Sequence, residues 1–297
     1  MTPGNRYRGI LYMLLAALGF SIMGGAAKSL KGSFGAGQLV FWRNAIGLLV
    51  LFLGFVVRPA VNKGGKMSLL LFRGMMGTTA LYTLLFCILH IPLATAMTYN
   101  LTSALFIAVF SFILFREYHG RYVLLAVLLG FAGMLLIYKP AMDFPWIYHA
   151  AGLVSGITAA LAYISVNKLS AYYDPRVIVL SFIGTGVLVP VIFMITGKLA
   201  GIQPDDVFFI TWRWPGGREW LSVSCLGLAA LFGQYFVTKA YTADAAGLVS
   251  AIAYSNIVFS VFIGMALGDS FPDLLSIAGI LCIIGSGIIV SIVKRKK

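Results

Sequence analysis

The chain reads as an all-α integral membrane protein with ten transmembrane helices in two inverted five-helix repeats. Three observations carry this expectation: an apolar composition, ten long apolar runs, and a repeat at a spacing of 152 residues. Of its 297 residues, 60% are hydrophobic and 10% charged, and mean hydropathy is +0.96. Soluble chains are roughly 45–50% apolar and about 25% charged. So few polar side chains cannot cover a water-exposed surface, so the solvent is mainly lipid. Disorder and a secreted disulfide scaffold are excluded on the same ground. The net charge of +13 comes with no basic stripe or basic patch interleaved with aromatics, so no nucleic-acid partner is expected.

A helix needs about 20 mostly apolar residues to span a bilayer. Such runs lie at about 10–27, 38–57, 69–89, 93–115, 122–138, 150–167, 177–196, 220–238, 246–267 and 274–293. They are continuously apolar rather than alternating, which favours helices over a barrel. The first run follows Arg6 and Arg8 and could pass for a signal peptide, but nine further spans favour a retained helix. Connections are short, His90-Ile91-Pro92 being nearly the whole of one, and only 197–219 is long. Adjacent helices are therefore expected to be antiparallel neighbours.

Ten spans put both termini on one side. That side carries fifteen of the Lys and Arg residues, among them Arg58, Lys66, Arg121, Arg176 and the tail Lys294-Arg295-Lys296-Lys297. The opposite side carries six, and Arg43 lies within a span. The positive-inside rule places both termini in the cytoplasm of a cell (inner) membrane. Trp146, Trp212, Trp214 and Trp220 fall in or beside outer loops, with Trp42 near an outer helix end. They read as interfacial anchors or, for the long loop, as parts of an external gate.

Shifting the chain by 152 residues lays the fourth and fifth runs on the ninth and tenth without a gap. Ala94 meets Ala246, Ser103 meets Ser255, Gly133 meets Gly285 and Glu117 meets Asp269. Five spans per half is an odd number, so the halves, 1–140 and 141–297, must be inverted. Inverted repeats around a central site are a transporter architecture.

Polar residues inside spans mark candidate sites. Thr95, Thr98, Tyr99 and Thr102 share one face of the fourth run, at helical spacing. Their repeat counterparts are Gly247, Ser250, Ala251 and Tyr254. Thr78, Thr79 and Tyr82 stripe the third run, and Tyr82 pairs by the repeat with Gln234, one turn before Thr238. Either these stripes line a substrate cavity, or their hydroxyls bond to their own helices and cement the bundle. Arg43 either snorkels to the outer interface or faces the cavity and holds a carboxylate or phosphate. Lys28, Arg73, Lys168 and Lys239 sit at span ends and read as solvated or lipid-facing, while Asn100, Asn167 and Asn256 read as interhelical glue. All nine acids lie in loops or at span ends. That points to a facilitator or exchanger rather than a proton-coupled carrier. Cys87, Cys225 and Cys282 lack CxxC partners and read as core hydrophobes. No metal, cofactor or catalytic group is expected. Gly152-x-x-x-Gly156, Gly74-x-x-Gly77 and Gly130-x-x-Gly133 offer smooth faces for close helix approach.

The ordered set of motifs resembles the drug/metabolite transporter superfamily, EamA type. It comprises Phe41-Trp42-Arg43, Phe72-Arg73-Gly74 with Gly77, Ile91-Pro92-Leu93-Ala94-Thr95-Ala96 and Phe115-Arg116-Glu117 in the first half. In the second half it comprises Gly268-Asp269-Ser270-Phe271-Pro272-Asp273, Gly279 and Gly285-Ser286-Gly287. The resemblance implies a basket-like bundle with a central cavity opened alternately to either side, carrying a small polar metabolite such as an amino acid, nucleotide derivative or vitamin. It departs from the family where a proline often stands in the middle of the fourth helix; this chain has Ser103-Ala104 there.

The rival reading is an intramembrane enzyme acting on a lipid-linked or isoprenoid substrate. Diphosphate chemistry needs paired Asp-rich motifs to hold magnesium, and Asp205-Asp206 stands without a second cluster. A carrier reading follows, with Arg43, Tyr82, Thr98, Tyr99, Thr102, Gln234, Ser250 and Tyr254 as substrate-binding residues. Its partners are a small-molecule substrate and the bilayer, and ten helices can enclose a cavity as a monomer.

Overall fold

The computed structural model describes residues 7–60, 63–91, 93–115, 121–138, 145–202, 212–244, 249, 252–266 and 273–296. It is all helical among these residues: α1 (Arg8–Ser29), α2 (Ala36–Val57), α3 (Met67–His90), α4 (Leu93–Leu101), α5 (Ser103–Phe115), α6 (Arg121–Tyr138), α7 (Trp146–Leu169), α8 (Pro175–Leu199), α9 (Glu219–Ala243), α10 (Ser255–Ala266) and α11 (Leu274–Lys296). Six helices, α1, α2, α3, α7, α8 and α9, are 22–25 residues long and apolar enough to cross a bilayer. Two others hold shorter apolar stretches, Leu124–Gly133 in α6 and Ile277–Ser286 in α11. Leu49, Phe52, Leu53 and Val56 of α2, and Leu188, Ile192 and Ile195 of α8, face outward. An outward apolar face on a long helix is what lipid solvent requires. The chain is a multi-pass all-α membrane protein.

The fourth run is two helices, where its hydropathy suggests one continuous helix. The break falls at Thr102. Its backbone N–H donates to the Tyr99 carbonyl at 3.2 Å, and its Oγ1 donates to the same carbonyl at 2.6 Å. This is local side-chain competition for a helix carbonyl, and no proline stands at the interruption. A second break falls at Tyr254, 152 residues later. There the Ile257 N–H reaches back to the Tyr254 carbonyl at 3.0 Å, and Ser255 Oγ donates to the Ile252 carbonyl at 2.7 Å.

Helix neighbours come in couples. The α1–α9 contact is matched by α3–α7, α1–α10 by α5–α7, and α3–α8 by α2–α9, while α2–α8 and α6–α11 each pair an element with its own counterpart. Glycines make the close approaches. A Cβ at Gly133 would lie 2.6 Å from the Gly279 carbonyl oxygen, one at Gly19 would lie 2.9 Å from the Gly233 nitrogen, and one at Gly74 would lie 2.6 Å from the Ser181 carbonyl oxygen. Gly152 and Gly156 give the same relief to α7 against Tyr99 and Thr102. The three asparagines bridge helices: Asn100 to Ser155 Oγ at 2.9 Å, Asn167 to the Tyr241 carbonyl at 2.9 Å, and Asn256 to the Ala17 carbonyl at 2.9 Å. At the end of α8, Gly201 adopts φ +64°, and the Ile202 N–H reaches back to the Gly197 carbonyl at 3.0 Å. This left-handed turn is a common glycine use at a helix C-terminus.

Two sequence expectations are corrected here. Cys87 is buried, but Cys225 lies exposed on α9, so it faces the bundle's surroundings rather than the core. Arg73 is not a solvated span-end residue. It is 1% exposed, because α3 begins at Met67 and carries it one and a half turns into the bundle.

Candidate functional site

The bundle encloses a cavity of about 90 Å³, room for several water molecules. Its wall is mainly apolar, with Met13, Phe20 and Met23 from α1, Leu81 and Leu84 from α3, and Met97 from α4. The polar groups on it are few: Arg43, Arg73, Asn100, Ser103, Gln234 and Asn256, with Tyr163 and Tyr241 opposite. Sparse polar groups on an apolar wall are the usual composition of a small-molecule site.

Two arginines dominate the site. Arg43 is 4% exposed. Its Nη1 donates to Asn44 Oδ1 at 3.1 Å, and its Nε points to Met23 Sδ at 3.3 Å. Asn44 is fixed in turn by donating to the Val40 carbonyl at 2.7 Å, and it fits against α8 only because Gly186 has no side chain. Arg73 reaches the same place from α3, and its Nε has no hydrogen-bond partner among the described residues. Both guanidinium carbons lie over the ring of Phe182, at 5.2 Å for Arg43 and 5.1 Å for Arg73 from its centroid. This is cation–π distance. Gly77 leaves the space: a Cβ there would meet Phe182 Cδ2 at 2.6 Å, as well as the Arg73 guanidinium.

Both charged carbons stand over one ring, so they are at most about 10 Å apart. At an effective dielectric of about 20 their repulsion is at least roughly 1.5 kcal/mol. Among the described residues the ion pairs are Asp174–Arg176 and Arg213–Glu219, and neither touches the cavity. Burying charge without a counter-charge is costly, so the arrangement is a strong local field of one sign.

Of the residues singled out from sequence, Arg43 and Gln234 line the cavity. Gln234 is 4% exposed, and its amide nitrogen has no partner among the described residues. Tyr82 is buried in the apolar cluster that also holds Leu81 and Leu85. The Tyr99 hydroxyl bonds the His149 ring, and Thr102 bonds back within α4. Tyr254 is fully buried among Leu101, Ala104, Ile257 and Ile283 and packs on Gly130 of α6. None of these four stands on the cavity wall. The Thr98 side chain and Ser250 lie outside the described residues. Sequence reasoning missed Arg73 and Phe182. Starting the third run at Met67 rather than at 69 would have placed Arg73 inside a span, as Arg43 is. Phe182 carries no sequence signal, being one aromatic in an apolar run.

Above the site, aromatic side chains close one end of α2. Trp42 contacts Trp212, Trp214 and Trp220 with centroids 5.2–5.4 Å apart. The segment 212–218 is tied down by Arg213, which donates to the Ser33 carbonyl at 2.9 Å and pairs with Glu219 at 2.9 Å. Gln38 donates to the Arg213 carbonyl.

Long apolar helices around a central cavity with inward polar groups are the build of a multi-pass membrane transporter. The EamA-like transporter family model matches residues 7–139. An uncharacterized transporter of Helicobacter pylori is 31% identical over 96% of this chain and 94% of its own. The pseudopaline exporter of Pseudomonas aeruginosa is 32% identical over 97% of both chains. The riboflavin transporter of Vibrio cholerae is 26% identical over 86% of this chain and 84% of its own. A crystal structure 18% identical in sequence superposes with a TM-score of 0.76 over 100% of this chain and 98% of that one, which shows the shared fold. The chain belongs to the EamA-like family of the drug/metabolite transporter superfamily. It is a secondary transporter of a small polar solute across a lipid bilayer, not an enzyme.

Proposed function

We propose that the protein works by alternating access, with two inverted five-span halves, 1–140 and 141–297, rocking about the cavity. The observation that carries this reading is the pairing of helix neighbours together with helix breaks at Thr102 and Tyr254, set 152 residues apart. The breaks divide the two elements that flank the cavity, so each half owns a flexible point beside the substrate. Arg43 and Gln234 contact the solute. Tyr82, Tyr99, Thr102 and Tyr254 act from behind the wall or at the breaks. The basic excess supports cytoplasmic termini in an inner membrane. No acid lines the cavity among the described residues, which supports a facilitator or exchanger. Segment 212–218 is the outer gate.

The test is a reversible lock. Cysteines replacing Ser33 and Arg213, in a background without Cys225, are bridged by a short bismaleimide or a disulfide. Counterflow in proteoliposomes is expected to stop when the disulfide forms and return on reduction. Full exchange by the locked protein overturns the outer gate. Accumulation of solute driven by an imposed pH gradient overturns the facilitator reading.

A further inference from the structure

We infer that the solute is a dianion: a small organic molecule with two carboxylates on an apolar carbon body, held by Arg43 and Arg73 where their guanidiniums share the ring of Phe182. This rests on the carrier reading and names the substrate class of its cavity.

Three independent features lead to it. First, the cavity holds two guanidiniums and, among the described residues, no carboxylate pairs with either. A planar five-donor fork suits a carboxylate in a buried place better than an ammonium would. Second, donors remain unused there. Arg73 Nε and Gln234 Nε2 are buried without partners among the described residues, whereas Asn256 on the same wall is already spent on Ala17 and Ser21. Donors are left over and carboxylates are wanting, which selects for acceptors on the ligand. Third, most of the remaining wall is alanine, methionine, leucine and phenylalanine, with Asn100, Ser103, Tyr163 and Tyr241 as its other polar residues. It solvates a carbon skeleton and offers little to a sugar.

The two cations enter from different helices. Arg43 stands in the second turn of α2 and Arg73 in the second turn of α3. Consecutive spans run in opposite senses, so the guanidiniums descend from opposite membrane faces and meet at one ring. A solute with a charged group at each end touches both. It relieves their mutual repulsion only while bound, so the bound state is the one in which the bundle closes around the cavity. A neutral solute gains nothing from either arginine, and a cation is repelled by both.

The experiment uses the full chain, purified and reconstituted, with adipate, its monomethyl ester, adipamide and 1,6-diaminohexane as one-skeleton probes. Adipate is expected to raise the melting temperature and to support counterflow. The monoester should bind at least tenfold more weakly, and the diamide and diamine not at all. Arg43→Gln and Arg73→Gln should each weaken adipate binding at least tenfold, while Arg43→Lys and Arg73→Lys retain part of it. A further readout separates binding from scaffolding. Arg73→Met should melt no lower than the wild type without ligand, because it removes an unpaired buried charge. The inference is overturned if diamide or diamine binds as well as adipate, or if ethyl phosphate binds in its place. It also falls if no diacid from glutarate to suberate binds at millimolar concentration, or if Arg73→Met unfolds the protein while Arg73→Lys binds adipate like the wild type. The outcomes separate the two readings. Saturable exchange of the diamide without the diacid keeps the carrier and sinks the dianion. Tight adipate binding with no exchange of any probe keeps the anion site and sinks the carrier.

Discussion

Gly77 sets the geometry of the cation pair. A methyl group there would run into Phe182 and the Arg73 guanidinium, so Gly77→Ala should displace the stack and lower transport several-fold. Overpacking of this kind costs about 1–3 kcal/mol. Gly184→Ala is the matched control on α8, since nothing lies within 4 Å of its added carbon. It should leave melting and counterflow unchanged or slightly improved. Residue-scale reading from sequence named Arg43 by its place inside a span and Gln234 by its repeat partner Tyr82, and both lie on the cavity wall. It failed for Arg73, because a basic residue two turns from a basic loop looks like part of that loop. It failed differently for Tyr254. A polar stripe at helical spacing names a face only while the helix is continuous, and Tyr254 stands where the helix is interrupted, against Gly130 of α6.

Among the elements, α8 has the most explicit start signal. Asp174 caps it, accepting the Arg176 N–H at 2.8 Å, with Pro175 at the first helical position. The Arg176 side chain pairs with the same carboxylate at 3.1 Å and also reaches the Arg58 carbonyl at 2.5 Å, tying the connection after α2 to the start of α8. Partial burial pushes the Asp174 carboxyl up, but the hydrogen bonds and charge of Arg176 outweigh that and hold it below the usual carboxylate range. A carboxyl whose folded pKa is depressed adds stability above its unfolded pKa, near 3.9, and loses that share as pH falls through the folded value. Wild type should therefore melt above Asp174→Ala at neutral pH by about 1 kcal/mol of stability. The gap should close on acidification below the ordinary carboxyl range. A gap that persists at low pH would assign the effect to the cap's shape alone. Helix ends of this kind are written in short motifs, whereas hydropathy alone placed this run at 177–196 and left its start at Pro175 unread. The break inside 93–115 was not legible either, because hydropathy is continuous through Thr102 and the same threonine bond at Thr83 leaves α3 unbroken.

At the scale of the molecule, the sequence carried the class of fold, an all-α multi-pass membrane protein, since that is a matter of pattern over many residues. The solute lay beyond that reading. It depends on two arginines and one phenylalanine, contributed by α2, α3 and α8, arriving at one point. Convergence of that kind is a product of packing, and packing here is set by glycines whose effect shows only against a neighbour. The family relation agrees with the architecture and leaves the solute open, since relatives of this chain include exporters and a vitamin transporter.

The tryptophan cluster gives the molecule an optical consequence. Of the five tryptophans, Trp42, Trp212, Trp214 and Trp220 touch one another at one end of α2, and Trp146 stands exposed on its own. In a Trp146→Phe background, all tryptophan emission, excited selectively at the red edge, comes from that one aromatic lid. Neighbouring indoles at these separations exchange excitation, so lifting segment 212–218 should change emission intensity, wavelength and anisotropy together. Stopped-flow fluorescence would then time the opening and closing of the outer end without any attached dye. Each turnover of the unlabelled protein is expected to write its own light signal. A trace that stays flat during active counterflow would mean that the lid does not move.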